Sequence, residues 1–329
     1  PYTLPVCRGN SLTVQRLFDG LRSRGHSVRL FNSTMDVPEG LASFDPDLIH
    51  SLHARQPQAW LFQSTLLEAC PWVVTMTGTD YNSEMQSDMQ TALSAARALI
   101  VFHAEAARSV QARFPELASR VHVIPQAVEV PEENSCSREE VRSTWNLYFE
   151  ELVFFMAAGL RPVKNIGYAL EAFARFRQNH PGSRLLLAGP CLDAQESDRV
   201  LALGKSIDGF EYCGELPHTQ VLELMSAADI FLNTSLNEGM PGAVMEAMAA
   251  RLAVIATDVT GNRALIDSMR TGILVPLQAP EALLGACETL AADARLRLRL
   301  GDEARRFVSE HFCCETELQA HDELYASVL

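Results

Sequence analysis

The sequence has 329 residues, 47% of them apolar and 21% charged, the composition of an ordinary globular chain with room for roughly two domains. Disorder, collagen-like repeats and disulfide miniproteins are excluded. With 27 Lys+Arg against 41 Asp+Glu, the formal charge of −14 repels nucleic acid and anionic lipid over most of the surface, so an anionic substrate needs a local positive site. From Leu12, apolar residues recur with helical spacing up to Gly25, and Val28 to Phe31 reads as a short strand. Strands are then predicted at Asp47 to Ser51, Trp72 to Met76, Leu99 to Phe102 and Val121 to Ile124. Helices are predicted near Trp60 to Glu68, Ser87 to Ala96 and Ala104 to Arg113. The polar, proline-containing segment from Pro131 to Ser137 reads as a linker. A second strand series follows at Leu152 to Ala158, Arg184 to Ala188, Phe210 to Cys213, Ile230 to Asn233, Leu252 to Ala256 and Gly272 to Val275, with helices between. From Pro280 the tail is helical, ending in the amphipathic stretch Glu315 to Val328.

Alternating short strands and helices imply parallel sheets covered on both faces. The expected fold class is therefore α/β, with two doubly wound, Rossmann-like halves. Their boundaries are expected at 1–137 and 138–312, with 313–329 as a final helix. No strand precedes Arg8-Gly9-Asn10-Ser11, so the first strand of the amino-terminal half is expected to be missing. Two such halves place their chemistry in a cleft at the carboxyl ends of both sheets. The longest apolar run, Leu152 to Leu160, is far below the roughly 20 residues that cross a bilayer. No charged-then-apolar leader opens the chain, and the expected location is cytoplasmic. Eight cysteines without CxxC spacing read as mostly buried small hydrophobes.

The richest segment runs from Asn233 to Met248, where a strand ends, Glu238-Gly239-Met240-Pro241 turns, and a helix begins near Gly242. Its amides and helix start form a cradle for an anion. Glu246, one turn into the helix, offers a carboxylate suited to a ribose diol, and Glu238 suits the hydroxyls of a second group. After the first strand of the second half comes Gly159-Leu160-Arg161-Pro162-Val163-Lys164. Lys164 is one of only two lysines beside 25 arginines; with Arg161 it supplies cations of the kinds that bind phosphate. The other, Lys205, reads as solvated surface. In the first half, Gly9-Asn10 precedes a helix as a second anion loop, and Thr77-Gly78-Thr79-Asp80 follows a strand. There Asp80 reads either as a ligand or as a local cap. His53, and less so His50 and His103, lie at strand ends, where a histidine is either structural or faces a ligand. No G-x-G-x-x-G after a strand, P-loop, G-x-S-x-G or H-E-x-x-H motif is present. Without a cluster of metal-ligand spacing, neither a metal nor a cofactor is expected.

Glu238-x7-Glu246, Arg161-x-x-Lys164 and the two doubly wound halves together resemble glycosyltransferase family 4, retaining enzymes of the GT-B fold. Gly9-Asn10-x-x-Thr13, Leu52-His53-Ala54-Arg55, Thr77-Gly78-Thr79-Asp80 and Gly159-Leu160-Arg161-x-x-Lys164 look most like one branch, which holds the glycosyltransferase 1 domain-containing proteins and the selenosugar synthases. The resemblance implies a nucleoside-diphosphate sugar donor, an acceptor entering from the first domain, and a final helix that crosses back to that domain. Arg161 and Lys164 would neutralise the leaving diphosphate without a metal. Glu246 would hold the ribose, and Glu238 with Gly239, Met240, Pro241 and Gly242 the donor sugar. Gly159, Gly9 and Asn10 would line the donor site, with His53, Gly78, Thr79 and Asp80 on the acceptor and sugar side. The partners implied are small molecules, with no nucleic acid and no membrane span. Thr77 stands where many relatives carry His, and Ile124-Pro125-Gln126-Ala127-Val128-Glu129 replaces a common I-P-N-G-V-D. Two other readings stay open: transfer to a selenium nucleophile, and a sugar-nucleotide-binding protein without catalysis.

Overall fold

Short runs of valine, isoleucine, leucine and alanine build two parallel sheets in the computed structural model, which describes residues 9–32, 43–54, 70–81, 87–131 and 137–329. The chain divides into two compact units, Pro1–Ala127 with Phe312–Leu329, and Val128–His311. The division falls at 127/128 rather than at 137/138, because Val128 to Pro131 already belong to the second unit: Val128 is buried, and the Pro131 carbonyl accepts from Arg305 Nη2 at 2.8 Å. Residues 132–136 of the expected linker lie outside the described residues, as do the predicted helix Trp60 to Glu68 and Arg55.

In the first unit the strands β1 (Ile49–Leu52), β2 (Trp72–Thr75), β3 (Ala98–Val101) and β4 (Val121–Val123) pair in sequential order, all parallel. Helix α1 spans Gly9–Ser23, so Gly9, Asn10 and Ser11 form its first turn rather than a loop ahead of it. Helices α2 (Gly78–Tyr81), α3 (Ser87–Ala95) and α4 (Ala104–Arg113) follow the strands. Side chains alternate across a strand, which gives the sheet two apolar faces. Val73, Ala98 and Ile100 pack with Leu17 and Leu21 of α1 and with Leu318, Leu324 and Tyr325 of the terminal helix Cys314–Val328. Trp72, Val74, Leu99 and Val101 pack against Met89, Leu93, Ala106 and Val110 on the other face. Val28 to Phe31 takes no place in the sheet. Val28 packs on the first of these clusters and Phe31 on the second, so side-chain packing rather than a strand position holds the segment.

In the second unit a capping box at Ser137 and Glu140 starts α5 (Arg138–Thr144). Strands β5 (Leu152–Ala157), β6 (Ser183–Ala188), β7 (Phe210–Gly214), β8 (Ile230–Asn233), β9 (Ala253–Thr257) and β10 (Ile273–Val275) form a parallel sheet of order β10-β9-β8-β5-β6-β7. The covering helices are α6 (Ile166–Asn179), α7 (Ala194–Gly204), α8 (His218–Ala227), α9 (Gly242–Ala249), α10 (Thr260–Arg263), α11 (Pro280–Ala292) and α12 (Ala294–His311). Phe154, Phe173 and Phe176 meet edge to face in its core. The tail is not one continuous helix. Asp293 breaks it by accepting from Leu296 N at 2.9 Å as a cap for α12, and Cys313 caps the terminal helix. No helix among the described residues is long and apolar enough to cross a membrane.

Candidate functional site

Because every strand of the second sheet runs the same way, the loops after β5, β7, β8 and β9 share one edge. Strand order reverses between β8 and β5, the switch point at which such sheets open for ligands. Here the loops after those two strands are stitched together. Leu236 N donates to Val163 O at 2.8 Å, and Thr234 Oγ1 donates to the carbonyls of Lys164 and Asn165, each at 3.2 Å. Asn165 takes the left-handed conformation, φ 48°, which asparagine tolerates better than most residues.

This stitching sets Lys164 Nζ 2.6 Å from Glu238 Oε1. Ser235 Oγ donates to the same oxygen at 2.6 Å and Asn233 Nδ2 at 3.3 Å. Three donors thus converge on Oε1, while Oε2 has no partner among the described residues. Burial pushes the Glu238 carboxyl up, but the Lys164 ammonium, with the hydrogen bonds from Lys164, Ser235 and Asn233, outweighs burial and holds it below the usual range. One of the three ammonium donors of Lys164 is spent on Glu238, which leaves two for a ligand. Arg161, partly exposed in the same loop, makes no side-chain hydrogen bond or ion pair among the described residues.

Gly261 supports this loop from α10: a Cβ there would lie 2.6 Å from Gly239 O and 2.7 Å from Glu238 O. Next to it, buried Asn262 donates through Nδ2 to Thr257 O at 2.8 Å and to Asn233 Oδ1 at 3.2 Å, which orients the Asn233 amide toward Glu238. Met240 is buried, and Pro241 caps α9 without a side-chain bond. The Gly242 and Ala243 amides precede the first bonds to Pro241 O and are, among the described residues, the open donors of the helix start. One turn on, Glu246 Oε1 lies 2.9 Å from His218 Nε2, at the first residue of α8. Glu246 Oε2 has no partner among the described residues. Gly159 lies beneath Leu192, where a Cβ would come within 2.5 Å of Cδ1.

The first unit carries a separate cluster after β1 and β2. Asp80 is 1% exposed. Its Oδ2 accepts from Thr77 N at 2.7 Å and Thr77 Oγ1 at 3.2 Å, and its Oδ1 from Ala54 N at 3.3 Å. His53 Nδ1 lies 3.2 Å from Asp80 Oδ2 and 2.8 Å from Thr77 Oγ1. His53 itself is left-handed, φ 76°, an uncommon conformation for a residue with a side chain and one held by its surroundings. Gly78 and Thr79 share the short helix α2 with Asp80; the side chains of Thr79 and Asn10 lie outside the described residues. Gln126 accepts from Thr13 Oγ1 at 3.1 Å. His50 is structural, bonded to Tyr325 Oη and Thr75 Oγ1 at 2.7 Å each. His103 Nδ1 caps α4 by accepting from Ala106 N at 3.1 Å. Lys205 is exposed.

The structure therefore brings Lys164 and Glu238, 74 residues apart, into contact, and sets Glu246 in the helix that follows the same loop. The residues that the sequence reading passed over are Ser235, Asn262, Gly261 and His218. Ser235 and Asn262 are ordinary polar residues in sequence, and Gly261 matters through a close approach that only coordinates show. His218 stands 28 residues from its partner with no motif around it. Among the described residues, no three His, Cys, Asp or Glu side chains group as metal ligands do.

The chain is similar along most of its length to known glycosyltransferases. Glycosyltransferase 1 domain-containing protein 1 of Xenopus tropicalis is 25% identical over 330 residues, 96% of this chain and 93% of that protein. D-inositol 3-phosphate glycosyltransferase of Jonesia denitrificans is 24% identical over 318 residues, 84% of this chain and 74% of that one. Among solved structures, a glycosyltransferase from Rickettsia africae superposes with a TM-score of 0.79 at 15% identity, covering 99% of this chain and 97% of that one. HepE of Anabaena in complex with UDP-glucose superposes with a TM-score of 0.75 at 18% identity, covering 98% and 90%. The fold is GT-B, the fold of these glycosyltransferases. Residues 137–307, just over half of the chain, match the family described as glycosyl transferases group 1, and the chain belongs to that family.

Proposed function

We propose that this chain is a retaining glycosyltransferase of family 4 that moves a sugar from a nucleoside diphosphate to an acceptor. The observation that carries the reading is the Glu238 carboxylate, pinned through Oε1 by Lys164, Ser235 and Asn233, with neither Oε2 nor the Arg161 side chain partnered among the described residues. In this reading the two remaining Lys164 donors and the Arg161 guanidinium meet the charge that grows on the diphosphate, an electrostatic role of the oxyanion-hole kind. Those two cations and the amides opening α9 take the part that a metal plays elsewhere. Glu238 Oε2 and the Gly239 to Gly242 backbone hold the donor sugar, and Glu246 holds the ribose. The bond between the anomeric carbon and the β-phosphate oxygen breaks, and the acceptor oxygen bonds to that carbon on the same face. The acceptor proton passes to the leaving phosphate, so no protein base is required. His53, set by Asp80 and Thr77, belongs to the acceptor side. The relative from Xenopus tropicalis, similar along nearly its whole length, supports the glycosyltransferase 1 domain-containing branch.

The test is a thermal-shift screen with UDP, GDP, ADP and CDP and their common sugars, without added metal. The expected result is a selective shift for one nucleotide that Lys164→Ala diminishes. No shift from any of them would remove the donor assignment.

A further inference from the structure

The two carboxylates of the candidate site share one arrangement. Glu238 is held by its Oε1 and presents Oε2. Glu246 is also held by its Oε1, through His218 Nε2 at 2.9 Å, and again Oε2 has no partner among the described residues. A carboxylate on a helix surface otherwise samples several rotamers, and freezing it on binding costs free energy that a prior hydrogen bond has already met. The pair is sheltered, with side-chain exposures of 30% for His218 and 17% for Glu246. His218 follows Pro217, whose fixed backbone starts α8 immediately after the β7 loop. The imidazole is thus delivered from the loop after β7, three strands from β8 on the same edge of the sheet.

We propose that His218 is a positioning residue for donor binding, which orients Glu246 so that its open oxygen receives the ribose hydroxyls of a nucleoside diphosphate. This rests on the donor-site reading above. The hydrogen bond to Glu246 raises the His218 pKa against the opposing effect of burial, with smaller contributions from the charges of Glu246 and Glu129. A carboxylate acceptor makes such a bond stronger than one between neutral groups.

The experiment measures calorimetric affinity for UDP, GDP, ADP and CDP, each beside its 2′,3′-dideoxy analogue, in wild type, His218→Ala, His218→Gln and Glu246→Ala. For the nucleotide that binds, His218→Ala should weaken the parent compound about tenfold, the scale of one charge-assisted hydrogen bond. Affinity for the dideoxy analogue should stay unchanged, and His218→Gln, which keeps an N–H donor, should recover most of the loss. A damaged fold would weaken both compounds alike. Equal loss of both, or wild-type affinity for both in His218→Ala while Glu246→Ala weakens the parent, overturns the role of His218 alone. Wild-type affinity in Glu246→Ala, or no binding of any nucleotide to the native chain, overturns the donor-site reading and this inference with it.

Discussion

Replacing Lys164 by methionine keeps most of the aliphatic stem and removes the ammonium. Lys164 and Glu238 are only 17% and 10% exposed, so the substitution strands a sheltered carboxylate. Stripping one partner from a buried pair costs 3–5 kcal/mol, and because Ser235 and Asn233 still donate to Glu238, the low end, about 3 kcal/mol, is expected. For a unit of this size that corresponds to a fall in Tm of about 6–12 °C. The loss should depend on pH with a definite sign. In the native chain the Glu238 pKa lies below its ordinary 4.5, so its stabilising effect is complete above 4.5 and fades as pH falls through the lowered value. Without Lys164, burial acts with no opposing cation, the folded-state pKa rises above 4.5, and the penalty is full at neutral pH but shrinks as the carboxyl takes up a proton. The gap between the two melting curves should therefore be widest near pH 7 and narrow toward pH 4.5. The double variant Lys164→Met/Glu238→Gln, with no stranded charge, should recover most of the loss. Turnover in Lys164→Met should drop by about 10²–10³, the scale for one preorganised charge-stabilising group. A Tm gap independent of pH, with the double variant no better than the single, would refute the pairing; intact turnover would refute its part in the chemistry.

Two further predictions separate stability from function. Arg161→Ala removes a side chain with no partner among the described residues, so stability should stay within about 0.5 kcal/mol while turnover falls by about 10²–10³; a lowered Tm with unchanged turnover would reverse the assignment. His50, half-buried beside His321 and Tyr325, has its pKa pushed down to about 3 by desolvation and then by the neighbouring His321. Its contribution is complete above the ordinary 6.5 and is lost as pH falls from 6.5 toward 3, with a slope of up to about 1.36 kcal/mol per unit. Denaturant midpoints between pH 7.5 and 4 should therefore fall less steeply in His50→Gln than in the native chain, and parallel curves would remove His50 as the cause.

The strands were legible because a parallel sheet buries both faces and leaves near-continuous apolar runs: Ile230 to Asn233 was delimited without error, and most other strands to within a residue or two. Val28 to Phe31 has the same local appearance yet no place in a sheet, since pairing depends on partners far away in the chain. Lys164 stood out by rarity, and Glu238 and Glu246 by the turn and helix between them. What no local pattern announced was the company these residues keep. That Lys164 spends part of its charge on Glu238 and that Asp80 is enclosed by Thr77 and Ala54 follow from which loops the sheet order sets side by side, whereas His218 reaches Glu246 from the loop after β7, three strands away in the sheet.

The first unit is assembled from both ends of the described chain, whereas the second is one continuous stretch. Leu318, Leu324 and Tyr325 complete the apolar face that Leu17 and Leu21 begin, and Arg16 clasps Glu317 through two hydrogen bonds of 2.8 and 2.9 Å. During synthesis, then, order of emergence and order of folding cannot coincide. The unit translated first leaves the ribosome with half of a sheet face uncovered and must wait until Phe312–Leu329 arrive, while Val128–His311 has its whole core in hand earlier. The helix Cys314–Val328 therefore sets the earliest moment at which the unit that holds it can close its apolar face.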